Sequence, residues 1–392
     1  MSLFLKLKKA FLEKRFTKTI TKKIHPYIKG FLLFFSFKGK NITIHVTKNK
    51  KIDSEDIPLA ERIFNAYKKI KLDQKDQSDL YKPSSLWQSL IDKDFNFLLE
   101  SYQSNDIEKF LFFLQNFGNW DKYLGIETQD IIKKYNNNIF LKQFLRKEIF
   151  EGQLKLWKFF HKNSNINELD MPMHGNQIGA KINNNFMVIG SFLNHVYAKN
   201  LFNLIDQKES KILEIGGGYG RFAYYILKDL KKFSYVDFDI PETLSLASYY
   251  LSKCFPNKKN MFYGEKEVNS NNINSHDLIF LPPWEIESLK QDTFDLTLNK
   301  NSLGEMEPKT AKNYIKHIHR ISKYFFSMNH EYFRNNFTSG EKSLVNKEYN
   351  LNKNFTQLMR YPELGHMIYE RNKLDYDSNT FFYLYEKNIN KA

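Results

Sequence analysis

The chain of 392 residues contains one cysteine, Cys254. Without a second thiol it can build neither an internal disulfide nor a cysteine-based zinc centre, which excludes a disulfide-stapled secreted domain and leads us to expect a cytoplasmic protein. Long hydrophobic runs are also missing. The longest spans residues 31–37, far short of the roughly 20 apolar residues a membrane-spanning helix needs. Lysines interrupt every early apolar stretch, so no signal peptide is expected. Acidic side chains are almost absent from the first 51 residues, where Glu13 stands alone against 13 Lys and Arg15. That segment holds +13 of the net charge of +15 and leaves +2 for everything after it. The basic balance is therefore a local property and does not call for a nucleic-acid surface over the whole molecule.

What is present suits a globular protein. A hydrophobic fraction of 42% and a charged fraction of 26% support a sizeable core and argue against disorder. In the basic segment Phe4, Leu7, Phe11, Leu12, Phe16, Ile20 and Ile24 fall near helical spacing, with lysines between them. Such a helix can lie on an anionic lipid surface, or dock on the protein body with its lysines in water. From about residue 54 to 165 the pattern is helical. Ser54-Glu55-Asp56 and Asn105-Asp106 are helix starts, Lys82-Pro83-Ser84-Ser85 is a break, and residues 140–160 form a longer helix. Past residue 190 strands alternate with helices, with strands at 211–215, 233–236, 261–263, 277–281, 294–298, 324–328 and, last, 380–385. That alternation predicts an α/β fold with a mostly parallel doubly wound sheet.

The sharpest motif is Glu214-Ile215-Gly216-Gly217-Gly218-Tyr219-Gly220, at a strand-to-helix turn. Glycines there let a ligand approach the backbone and the N–H groups of the following helix. A dinucleotide fingerprint would put its third glycine where Arg221 stands. The pattern instead resembles motif I of the S-adenosylmethionine-dependent methyltransferases. The resemblance implies that Gly216, Gly217, Gly218 and Gly220 face the methionine part of S-adenosyl-L-methionine, and that Glu214 helps to hold it. Asp239, 19 residues past Gly220, can accept both ribose hydroxyls of an adenosyl group, with Asp237 as its fallback.

Further segments narrow the resemblance. Asp239-Ile240-Pro241-Glu242 looks like the Asp-Leu-Pro segment of small-molecule O-methyltransferases. The Tyr81-Lys82-Pro83-Ser84-Ser85-Leu86-Trp87 stretch, Gly175-Asn176, residues 212–225 and residues 294–306 are together similar to the bacterial sugar O-methyltransferases, over about residues 80–335. Gln177 departs from the proline expected after Gly-Asn. The resemblance implies a class I Rossmann-like methyltransferase domain over residues 166–392 with an antiparallel last strand. A mainly helical domain over 52–165, a candidate substrate cap, and the basic segment 1–51 precede it. It also implies a sugar or glycan acceptor, in surface-glycan biosynthesis.

Methyl transfer to a hydroxyl needs a base, placed at the carboxyl end of a strand facing the cofactor crevice. Glu305, after the strand at 294–298, is the first candidate, and its competing role is a helix-start carboxylate. His330 is the second. His174, Asn176 and Asn301 are candidate substrate contacts. Tyr219 and Arg221 are expected to support the glycine loop. Asn299, Asn329 and Glu331 offer oxygens to Mg²⁺ but no dedicated spacing, and His317 and His319, two positions apart on a helix, face different ways, so no metal is expected. Two other functions stand beside the sugar reading. Leu281-Pro282-Pro283-Trp284 resembles the Asp/Asn-Pro-Pro-aromatic motif of base amino-methyltransferases, but Leu281 cannot accept a hydrogen bond from a base, so nucleic acid is the less favoured substrate. A non-catalytic cofactor-fold binding protein is the other alternative.

Overall fold

The computed structural model describes residues 42–45, 48–126, 140–363 and 379–388. The basic amphipathic pattern read over residues 4–24 lies outside them. The described elements begin with β1 (Ile42–His45), α1 (Ile57–Asp73), α2 (Ser85–Asp94), α3 (Asn96–Gln103), α4 (Ile107–Asn116), α5 (Phe140–Phe160), β2 (Gly179–Ile182) and β3 (Asn185–Met187). They continue with α6 (Ser191–Phe202), β4 (Ser210–Ile215), α7 (Arg221–Leu227), β5 (Phe233–Phe238), α8 (Pro241–Cys254), β6 (Asn260–Phe262), α9 (Ser270–Ser275) and β7 (Leu278–Leu281). The last are β8 (Phe294–Lys300), α10 (Pro308–Ile321), β9 (Ser322–His330), β10 (Phe355–Pro362) and β11 (Thr380–Lys387).

Contacts divide the chain into two compact units. The boundary expected at 165/166 is not where they part: α1–α4 belong to the same unit as the large sheet, and α5 belongs to the other. The smaller unit holds α5 and an antiparallel sheet of order β1-β2-β3. Its register sets Ile42 opposite Ile182 and Ala180 opposite Met187. The sequence pattern did not announce these strands, because each has only three or four residues, too few for alternation to register.

The larger unit is built on an eight-stranded sheet of order β10-β11-β9-β8-β4-β5-β7-β6. Strands β4 to β9 run parallel to their neighbours, and β11 pairs antiparallel with β9. The α/β fold with an antiparallel final strand is therefore as expected. The sheet also has an edge strand that the sequence hid, β10. Most of its residues are exposed, so they carry no buried stripe. Strand β5 is buried along its whole length, as a parallel strand covered on both faces must be. Helix α10 presents Ala311, Tyr314, Ile315, Ile318 and Ile321 as one buried face at i, i+3, i+4 spacing. Local chemistry sets several helix starts: Ser84 caps α2 through the Trp87 N–H, and Asp106 caps α4 through the Lys109 N–H.

The topology fixes where a ligand can bind. From β4 the chain winds outward through β5 to β6 and β7, then returns to place β8 on the other side of β4. Strand order reverses there, and the crevice beyond the carboxyl ends of β4 and β8 is the natural ligand site of such a sheet.

Candidate functional site

The glycine loop lies in that crevice, between β4 and α7. Two of its glycines are required by close approach as well as by backbone angle. Gly216 has φ +76°, and a Cβ there would lie 2.2 Å from Ser302 Oγ on the loop after β8. A Cβ on Gly220, at φ +87°, would lie 2.7 Å from Leu251 of α8. Gly218 differs: it too is left-handed, at φ +62°, but nothing stands within 4 Å of the position its Cβ would take. The loop thus packs tightly at both ends and opens onto free space in its middle, as a cradle for a ligand does. Tyr219 and Arg221 support the loop from behind. The Tyr219 hydroxyl donates to Gln177 Oε1 at 2.8 Å, and the Arg221 guanidinium lies over the Tyr219 ring. Gln177, which stands where a proline was expected, is therefore the loop's anchor.

Three carboxylates crowd beneath this cradle. Glu214 and Asp237 are directly opposite each other across β4 and β5 and are almost wholly buried. Tyr235 donates its hydroxyl to Glu214 Oε2 at 2.6 Å. Burial pushes the Glu214 pKa up to about 7, against the pull of the Tyr235 hydrogen bond. Asp237 accepts from the Gly217 N–H at 3.2 Å, while its Oδ2 has no partner. Burial, then the neighbouring Asp239 and Glu214, push its pKa well above the usual range. Asp239, half-buried at the end of β5, accepts from the Gly218 N–H at 3.0 Å and the Ile240 N–H at 2.7 Å. Burial raises it to about 6. Desolvating three acids in one place costs free energy unless positive charge arrives. The cluster and the open cradle fit a cation-bearing ligand, and S-adenosyl-L-methionine carries a sulfonium and an α-ammonium.

Glu305 stands at the other wall of the crevice, in the turn after β8. It is doubly tied to the start of α2. Trp87 Nε1–H donates to Glu305 Oε2 at 2.8 Å, and Ser84 Oγ donates to the Glu305 carbonyl at 2.9 Å. Burial lifts the carboxyl pKa to about 7, offset in part by the Trp87 hydrogen bond. Beneath the turn, Asn299 Oδ1 accepts from the Leu303 N–H and Asn329 Oδ1 from the Gly304 N–H, while Asn329 Nδ2 donates to Asn299 Oδ1. These two asparagines are buried and spend their amides on one another, on the turn, on the Ile215 carbonyl and on Ser327 Oγ. Glu331 turns to Arg360 and the Tyr383 hydroxyl. The three oxygen donors considered for Mg²⁺ are thus committed elsewhere. His317 contacts Arg320 and Tyr81, while His319 contacts Asn354 and Phe355.

The second candidate base is near the first. A Cβ on Gly304 would lie 3.8 Å from His330 Cδ2. His330 Nδ1 lies 3.3 Å from Thr380 Oγ1, and its ring packs edge-on against Phe333. The proposed substrate contacts divide. Asn301, at φ +55°, is exposed just after β8. Asn176 is 2% exposed and donates both amide hydrogens internally, to the Lys48 carbonyl and Asn116 Oδ1. It braces the helical part and is not set to meet a substrate. His174 faces Lys253 and Asp56, where burial, then Lys253, lower its pKa, so it too has other neighbours than the crevice residues. Trp87, Ser302 and the Asn299–Asn329 pair were not assigned these roles from sequence. Trp87 carried a signal as part of the 81–87 stretch, Asn299 and Ser302 as part of the 294–306 stretch, and Asn329 only as an oxygen donor considered for Mg²⁺.

No family model matches the chain, and no curated protein matches it by sequence. Solved structures resemble part of it. Mitomycin 7-O-methyltransferase MmcR is 11% identical over 50% of this chain and 55% of its own, with a TM-score of 0.33. The Burkholderia thailandensis 1,6-didemethyltoxoflavin-N1-methyltransferase, solved with S-adenosylhomocysteine, is 13% identical over 50% of this chain and 78% of its own, at 0.33. The small RNA methyltransferase HEN1 is 11% identical over 50% of this chain and 25% of its own, at 0.34. The chain thus spans about half the length of MmcR, and likeness this distant does not identify an activity.

Proposed function

We propose that the chain is an S-adenosylmethionine-dependent methyltransferase that moves a methyl group to a sugar hydroxyl, with Glu305 as the base. The observation that carries the reading is the state of the Glu305 carboxyl. Its Oε2 is held by the Trp87 indole, its Oε1 makes no hydrogen bond among the described residues, the residue is half-buried, and its pKa is about 7. A base needs one anchored oxygen, one available oxygen and a pKa near the working pH. Gly216, Gly217, Gly218 and Gly220 would cradle the methionine part of the cofactor and Asp239 its ribose, over the acids Glu214 and Asp237. The cofactor supplies an electrophilic methyl group on a sulfonium. Glu305 Oε1 takes the proton of the acceptor hydroxyl as it becomes nucleophilic, and Trp87 keeps the carboxylate aimed.

The sugar class comes from the resemblance, and one structural fact supports it. Two of the stretches behind that resemblance, 81–87 and 294–306, meet at the Trp87–Glu305 hydrogen bond. Base methylation is less well supported. Trp284 is 8% exposed and packs edge-on against Tyr263, so it offers no free ring to a flipped base. The test is transfer of a radiolabelled methyl group to fractionated cell glycans, nucleotide sugars and RNA. Label in a glycan or nucleotide-sugar fraction is expected, and label confined to RNA would overturn the reading. Titration calorimetry with the cofactor separates both enzyme readings from a non-catalytic protein. We further propose that the basic segment 1–51 brings the protein to an anionic membrane face. Unchanged liposome binding at low salt after deletion of residues 1–51 would sink that idea.

A further inference from the structure

A second cavity lies away from the crevice, at the antiparallel edge of the large sheet. Strands β9 and β8 stand between that edge and β4. The cavity has a volume of about 630 Å³ and is walled by β10, β11 and the segment 346–353, within the size range of small-ligand sites. Asn346 and the Tyr383 hydroxyl in its lining are hydrogen-bonded, but its other polar groups are not. Among the described residues Lys347 and Lys353 form no ion pair, and the amides of Asn350 and Gln357 and the hydroxyl of Tyr385 make no hydrogen bond. The carboxylates nearby are, in contrast, already neutralised: Glu348 by Arg334, and Glu331 by Arg360 and the Tyr383 hydroxyl. Beneath the segment, Tyr349 is 2% exposed with an unpartnered hydroxyl.

The walls are held firmly. The Tyr383 and Tyr385 rings are parallel within 7° at 5.8 Å, and Tyr385 stacks in turn on Phe325. Asn346 accepts from Ser327 Oγ at 2.6 Å and donates to the Phe381 carbonyl at 3.1 Å. Lys347 also lies over the Tyr332 ring at 5.4 Å, a contact that leaves its ammonium open to an anion. A site with two ammonium groups that form no ion pair among the described residues, several hydrogen-bonding groups to spare and one aliphatic side chain, Leu351, favours a small polyhydroxylated anion. It does not favour a nucleobase, which needs an open aromatic face to stack on. These tyrosines are buried and their faces are taken by one another and by Phe325.

We propose that this cavity is a binding site for an acidic pyranose, a sugar ring bearing a carboxylate or a phosphate. Lys347 and Lys353 meet the anion, while Asn350, Gln357 and Tyr385 meet ring hydroxyls. The site stands whether or not the crevice transfers methyl groups to sugars. The test is calorimetric titration of the full chain, its crevice saturated with S-adenosylhomocysteine, against a hexuronate disaccharide, its neutral hexose counterpart, a hexose 6-phosphate and AMP. The expected result is millimolar or tighter binding of an acidic sugar, with the neutral sugar at least about tenfold weaker, as loss of charge-assisted hydrogen bonds predicts. Preference between the hexuronate and the hexose phosphate names the anion. Lys347→Gln with Lys353→Gln should weaken acidic-sugar binding by a similar factor and leave S-adenosylhomocysteine affinity unchanged. Gln357→Ala should weaken hexuronate and neutral sugar alike. Equal affinity for neutral and acidic sugars, indifference to the lysine pair, tighter binding of AMP, or no sugar binding at millimolar concentration would each overturn the proposal.

Discussion

At the scale of single residues the proposed chemistry rests on Glu305 and Trp87. Glu305→Gln keeps the shape and the indole contact but removes the proposed base, so turnover should fall about 10²-fold or more while cofactor binding in calorimetry stays intact. Normal turnover in that variant would make Glu305 structural and move the role to His330. Trp87→Phe tests positioning. The indole N–H stabilises the carboxylate and holds the Glu305 pKa down. Its loss should shift the pH–rate profile of kcat to higher pH and reduce the maximum about tenfold. A role for Trp87 in packing alone would lower stability without moving the profile. The glycines divide by their surroundings. Gly218→Arg should fill the open cradle and abolish cofactor binding in a protein that still folds. Gly216→Ala should instead drive the glycine loop away from Ser302 and lower both cofactor affinity and melting temperature. The motif could be read from sequence because glycine runs are rare and local. The Glu305 partner could not, because Trp87 lies 218 positions earlier.

Elements deliver these residues to one place. Strand β5 brings Asp237 and Asp239 to the end that α8 then leaves, with Pro241 starting the helix as a first-turn proline can. Helix α1 packs along α8 and is fixed to it by buried polar contacts. Tyr67 and Lys71 both reach Glu242. Asp56 accepts from Tyr249, Gln115 and Lys253, and its pKa is held below the usual range by those partners despite burial. Asp56→Ala leaves these donors facing a void. It should cost about 2–3 kcal/mol, less than a fully buried pair because Lys253 is partly exposed. Urea unfolding of the variant measures this, and a loss below about 0.5 kcal/mol would show the cluster to be incidental. The helix starts at 84–85 and 105–106 were legible because capping is a local exchange of hydrogen bonds, while near 54–56 Asp53 caps the short turn that leads into α1. The edge strand β10 and the small sheet were not, because their residues become strands only when partners pair with them.

For the molecule as a whole, the crevice is a region of deferred negative charge. Glu214, Asp239 and Glu305 have pKa values near 7, 6 and 7, above their ordinary values of 4.5, 3.8 and 4.5. Their contribution to stability is therefore fully present below about pH 4 and is lost as pH rises through 6 to 7. A cationic ligand reverses that loss by favouring the ionised forms. Affinity for S-adenosylmethionine should rise between about pH 6 and 8, and S-adenosylhomocysteine, which lacks the sulfonium charge, should show a smaller rise. Parallel profiles for the two ligands, measured by calorimetry, would exclude sulfonium–carboxylate attraction as the cause. Among the described residues no helix is long and apolar enough to cross a membrane.

The sequence by itself determined the alternation of strands and helices, the glycine turn and the acids that follow it. Each depends on neighbours within a few positions, where backbone angles, capping and hydrophobic period act directly. Tertiary structure alone decided that Trp87 holds Glu305, that Asn176 is spent inside the helical part, that Glu214 and Asp237 share one desolvated pocket, and that lysines with no ion pair among the described residues line a second cavity. Those facts depend on which strands become neighbours, and a carboxylate's protonation and partners follow from what surrounds it in space.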